Sequence, residues 1–164
     1  SSCEGERTRR NAPSPSPGPP PSDLSGYIAG SAQPTPGAIR VGLSMQHLGR
    51  EIVGHSSHAG TGSNNAAEFC ALIQALNALI QLRTHHPDHP AAKASPCVIL
   101  SDSTLVVGAF NGTLKLKRAE LVGLLGQAKD LASRLDPAPT VHWIPRGKNV
   151  AAHVQSQGPA KWRL

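Results

Sequence analysis

Phe69, Leu72, Ile73, Leu76, Leu79 and Ile80 recur at three- and four-residue steps, which lays one apolar stripe along a helix from about Asn65 to Arg83. A polar Gly/Ser/Asn stretch leads into it. Before that stretch come three short β-compatible runs, LSGYIAGSA, IRVGLSMQ and REIVGHSS, separated by QPTPG and HLG. Such spacing suits an antiparallel meander. Pro87 and Pro90 exclude helix or central strand from THHPDHPAAKASP, so a surface loop is expected there. CVILSDS is a continuous apolar run ending in an acid, which fits a strand buried on both faces. STLVVGAFNG predicts a short helix ending near Gly112, and TLKLKR a basic connector. Leu121, Leu124, Leu125, Ala128, Leu131 and Leu135 predict a further helix, which DPAPT breaks. VHWIP reads as a last strand and GKNVAAHVQSQ as a short final helix. The order predicts an α/β fold: a five-stranded mixed sheet, its first three strands antiparallel, flanked by helices.

At 164 residues the chain can form one domain with a proper core. Residues 1–23 are Ser, Pro, Gly and charge, too poor in apolar surface to offset the cost of ordering, and predict a disordered tail. Arg7, Arg9 and Arg10 there read as a solvated linker more readily than as a phosphate contact. The domain is expected over 24–157, with a C-terminal tail over 158–164. Sixteen Lys and Arg against ten Asp and Glu give a net charge of +6, which suits a polyanionic partner, or a merely soluble basic protein. Cys3, Cys70 and Cys97 are odd in number and lack metal-ligand spacing. Reduced thiols and an intracellular setting are the expectation. No run approaches the ~18 apolar residues of a membrane span, and no charged-then-apolar leader opens the chain, so no membrane partner is expected.

Glu68 falls about 40° around the helix axis from Leu72, at the margin of the apolar stripe. It either complements the helix dipole or meets other acids. Asp102 ends the CVIL strand, where sites gather in open α/β sheets; it, or Ser101, could equally cap the helix that starts at Ser103. Two convergent acids beside basic residues suggest divalent-metal phosphoryl chemistry, since carboxylates hold Mg²⁺ and the metal neutralises phosphate. His85, His86, Asp88 and His89 crowd together, but the prolines among them favour a solvated loop over a metal site.

In order and interval, GYIAGSA, PGAIRVGLSM, the REIVG hairpin, TGSNNAAEFCALIQAL, VILSDSTLVVGAFNG with LKLKRAEL, and HWIPRGKNVAAHVQ resemble the type 1 ribonuclease H domain. The resemblance covers about residues 24–157. It implies binding to RNA/DNA hybrid duplexes and cleavage of the RNA strand by two Mg²⁺ ions. Glu68 and Asp102 match two of the family's four metal-binding acids. The other two positions are degenerate. Ala29 stands in Tyr27-Ile28-Ala29-Gly30-Ser31 where the family pattern is Y-I-D-G-S, and His153 stands where N-x-x-A-D ends in an acid. Glu68 and Asp102 supply a charge of −2 where four carboxylates would balance two divalent ions. Neutral imidazole at His153 is a poor ligand for Mg²⁺ and a better one for Mn²⁺.

Gly30, Ser31, Asn64, Asn65 and Ser103 match positions where the family contacts the sugar-phosphate of the hybrid; one of the two asparagines is also expected to cap the helix. Lys115, Lys117, Arg118, Arg146 and Lys148 could add a phosphate track, the first three reading equally well as a solvated connector. Trp143 and Trp162 could stack on bases, although Trp143, inside a strand, reads as core. The expectation is a domain that binds hybrid or other duplexes with cleavage lost or strongly impaired. The alternatives are a Mn²⁺ nuclease using Glu68, Asp102 and His153, and a protein-interaction module on the same fold.

Overall fold

The structure is a computed structural model and describes residues 22–34, 36–94, 96–154 and 161–164. Nearly all of the expected N-terminal tail, residues 1–21, and residues 155–160 before the C-terminus lie outside the described residues.

Alternating apolar residues build β1 (Leu24–Gln33), β2 (Gly37–His47) and β3 (Arg50–Gly62). β1 pairs antiparallel with β2, and β2 with β3, Ala29 standing opposite Gly42. The second turn is only Leu48-Gly49, with His47 opposite Arg50 and both turn residues at positive φ, 53° and 80°. A two-residue hairpin matching the strand twist needs that conformation twice, and Leu48 supplies it at a steric cost. After α1 (Asn64–His85) and the short α2 (Pro90–Lys93), β4 (Val98–Ser101) enters parallel to β1. Then follow α3 (Thr104–Asn111), α4 (Ala119–Ser133), β5 (Thr140–Trp143) parallel to β4, and 3₁₀ turns at Arg146–Lys148 and Val150–His153. The sheet order is β3-β2-β1-β4-β5. This is the expected five-stranded mixed sheet with its first three strands antiparallel.

α1 lies between the sheet and α4. Phe69, Leu72, Leu76 and Leu79 are fully buried as the spacing predicts, and each contributes roughly 1.5–3 kcal/mol on burial. The buried face is broader than the predicted stripe. Ala66, Ala67, Ala71, Ala75 and Leu82 join it, while Ile73 and Ile80 are only partly covered. Small alanines disappear from a hydropathy pattern, yet they let two layers approach the same helix.

Four local expectations need correction. The segment after α1 contains a helical turn, because Pro90 occupies its first position, where no backbone N–H is required, and His89 Nδ1 accepts from Ala91 N. The segment after β5 forms two 3₁₀ turns instead of one helix. Neither asparagine caps α1; Ser63 does, its hydroxyl accepting from Ala66 N. Trp143 is not core: it is 45% exposed.

Candidate functional site

β1 outruns its neighbour. Its pairing with β4 stops at Ile28 opposite Ser101, so past that pair this edge of β1 has no strand beside it among the described residues. Three side chains continue the ladder. Asn149 Nδ2 donates to Ile28 O at 2.8 Å, Gly30 N donates to Glu68 Oε1 at 2.8 Å, and Ala32 N donates to Asn64 Oδ1 at 2.7 Å. The match is geometric. Four residues of helix rise about 6.0 Å and two residues of strand about 6.6 Å, so acceptors at 64 and 68 reach donors at 32 and 30. Contact this close requires Gly30, where a Cβ would lie 2.2 Å from Ala67 O. Glu68 therefore serves the open edge of β1 rather than the helix dipole, and it lies beyond the first turn of α1.

Asp102 follows β4 and does not cap α3. Ser103 does, accepting from Val106 N at 3.2 Å, while Ser101 Oγ accepts from Ser103 N at 3.0 Å. The Asp102 carboxylate is 8% exposed and accepts from Asn149 Nδ2 at 3.1 Å, with Arg146 Nε 3.9 Å away. Asn149 itself is buried, and its Oδ1 accepts from Ala151 N. One amide thus ties the β1 edge, the β4 end and the last 3₁₀ turn together. Burial raises the Glu68 pKa from 4.5 to about 7; the Gly30 N–H opposes that rise, the Asp102 charge adds to it, and Arg146 opposes it.

These groups line a depression of about 230 Å³ with Ala29, Gly30, Ser31, Arg40, Gly42, Ala151 and Ala152. Ala29 puts a methyl group on its wall. The residues present do not fit a pair of divalent ions. Two carboxylates face the depression, one whose charged form burial disfavours and the other held by an amide and a guanidinium. Among the described residues, no three His, Cys, Asp or Glu side chains are grouped so as to hold a metal ion. The His85–His89 cluster accordingly does not form such a group.

A second depression of about 420 Å³ shares Gly30, Ser31, Glu68, Asp102 and Arg146 with the first and adds Asn64, Asn65, Ser103 and Thr104. Six of the sequence-predicted contact residues thus meet on one surface. Lys115 lies elsewhere, in a depression with Leu114, Leu116, Val122 and Leu125, and Lys117 is exposed on the same connector. His153 belongs to the last 3₁₀ turn. Arg40, whose Nε donates to Ser56 Oγ at 2.9 Å, reaches the site unannounced by the sequence, because only the β2–β3 pairing aims it there. The bridging role of Asn149 was equally hidden, although the residue stands in the IPR-x-x-N motif. No helix among the described residues is long and apolar enough to cross a membrane.

A family model described as reverse transcriptase-like matches residues 28–157. The bifunctional protein Rv2228c of Mycobacterium tuberculosis is 33% identical over 93 residues, 57% of this chain and 22% of that protein. An uncharacterized protein, Mb2253c of Mycobacterium bovis, matches to the same extent. The chain spans about a fifth of the length of these curated relatives. Among solved structures, the N-terminal RNase H domain of Rv2228c, studied as a fusion with maltose binding protein, superposes with a TM-score of 0.69 at 26% identity, covering 82% of this chain and 91% of that one. LC11-RNase H1 in complex with an RNA/DNA hybrid gives 0.70 at 26% identity, covering 80% and 92%.

Proposed function

This chain belongs to the reverse transcriptase-like family, within the ribonuclease H-like superfamily, and from that premise we propose that it binds RNA/DNA hybrid or similar duplexes with metal-dependent cleavage of the RNA strand lost or strongly impaired. The observation that carries this reading is the methyl group of Ala29 on the wall that holds Glu68 and Asp102. Three features support impairment. The surviving acids bring at most −2, burial disfavours the charged form of Glu68, and Asp102 is already engaged by Asn149 and Arg146. A metal's electrostatic contribution to phosphoryl transfer is worth several kcal/mol, and each 1.36 kcal/mol is about tenfold in rate. Mg²⁺ or Mn²⁺ is the cofactor the superfamily implies, and this donor set holds either weakly.

Binding is supported by what surrounds the acids. Gly30, Ser31, Asn64, Asn65 and Ser103 offer short polar groups suited to sugar-phosphate and to the RNA 2′-hydroxyl. Arg146, its side chain 87% exposed, and Arg40 flank them with positive charge. Lys115 and Lys117, exposed on the α3–α4 connector outside that depression, offer a separate basic patch. The relative solved with an RNA/DNA hybrid makes that duplex the first ligand to test.

The test pairs two assays on one protein. Anisotropy with a labelled hybrid should show binding that weakens as salt rises, and a cleavage assay with Mg²⁺ and then Mn²⁺ should show little product. Ala29→Asp combined with His153→Asp should recover cleavage. Efficient cleavage by the unaltered chain refutes the impairment; absence of salt-dependent binding refutes the ligand and leaves a protein partner as the use of the surface.

A further inference from the structure

Trp143 ends β5, the sheet's edge strand, abreast of Ser101 in the parallel register and therefore beside Asp102. Val141, two residues earlier on the same face, is buried, and Asn111 of α3 donates to its carbonyl at 3.0 Å. Trp143 lies past that cover. Its indole Nε1–H donates to the Asp102 carbonyl at 3.3 Å, which fixes one edge of the ring, while 45% of the residue stays exposed. Three residues on, Arg146 projects a guanidinium that is 87% exposed yet stays 3.9 Å from Asp102 Oδ2. A pinned aromatic face and a cation thus flank the same strand end.

That pairing has a defined chemistry. Single-stranded nucleic acid is held by stacking bases on aromatic side chains while cations take the backbone phosphates. Within a continuous duplex each base face is covered by its neighbours, so a surface indole meets only sugar edges. An unpaired base presents its face. Resting on the duplex-binding reading above, we propose that Trp143 is a stacking platform for an unpaired nucleobase beside the duplex, Arg146 taking the adjoining phosphate. This surface prefers a hybrid with a single-stranded overhang to a blunt one.

The chain has two tryptophans, so Trp162→Phe in the full chain leaves Trp143 as the sole indole. Titration of that protein with a blunt RNA/DNA hybrid, and with the same hybrid carrying a short overhang, reads affinity by anisotropy and contact by indole emission. The overhang is expected to bind about tenfold tighter and to quench the emission. Adding Trp143→Ala should abolish the preference without changing the salt dependence, because stacking releases no counterions, whereas Arg146→Ala should lower the salt slope by about one. Equal affinities with unchanged emission overturn the proposal, as does a Trp143→Ala loss that is equal for both hybrids. The emission arm needs no change at Trp143, so it decides even if the alanine variant does not fold. Failure of both hybrids to bind overturns the duplex-binding reading as well; tight, equal binding overturns this one alone.

Discussion

Replacing Glu68 by Gln isolates the cost of keeping an acid on the open edge of β1. The amide retains an oxygen for the Gly30 N–H, now 2.8 Å from Glu68 Oε1, and removes only the titration. With its folded pKa raised from 4.5 to about 7, Glu68 holds its proton in the native state over a window in which the unfolded chain releases it. Its contribution is fully present below about pH 4.5 and is lost as pH rises to about 7, so stability falls across that window. At about 1.36 kcal/mol per unit the loss has a ceiling of about 3 kcal/mol. Water reaches part of the carboxyl, and that screening reduces the figure to roughly 1–2 kcal/mol. Urea unfolding in the presence of a chelator, from about pH 4 to about pH 8, should therefore give coincident midpoints at the acid end. At the alkaline end the Glu68→Gln variant should be more stable by roughly 1–2 kcal/mol. His142, whose pKa burial lowers, contributes alike to both proteins and cancels from the difference. A Glu68→Gln protein that is less stable at about pH 8, or a difference that does not vary with pH, refutes the reasoning.

Asn149→Ala should cost about 1–3 kcal/mol in chemical denaturation, because it strips the Ile28 carbonyl of its amide partner inside the fold; a loss below about 0.5 kcal/mol would mean that water takes the amide's place. Leu48→Asn should raise stability by about 1 kcal/mol, since Asn tolerates the left-handed backbone that Leu48 adopts at φ 53° and the side chain is already exposed; no change in thermal midpoint would remove the strain argument. Ala29→Asp should lower the thermal midpoint in chelator by crowding a third carboxylate against Glu68 and Asp102, and should make the midpoint rise with added Mg²⁺ where the unaltered chain barely responds. Equal Mg²⁺ responses would show that the missing acid is not what limits cation binding.

Much of this was legible in one dimension. Turn residues bracketed the three hairpin strands, apolar spacing located α1 and α4, and the motif order gave the family resemblance together with its two departures, Ala29 and His153. Buried alanines, the helical turn at Pro90 and the exposure of Trp143 were not legible, since each depends on which layer covers which face. The site divides the same way. Sequence alone determined which residue types are available to it: Glu68 and Asp102, with Ala29 and His153 at the positions where the resemblance implies two further acids. Only the tertiary structure decided what those acids do. β1 runs past the end of β4, and backbone groups on an unpaired edge need partners. The helix-to-strand spacing delivers Glu68 and Asn64 there, and the junction of the two 3₁₀ turns delivers Asn149.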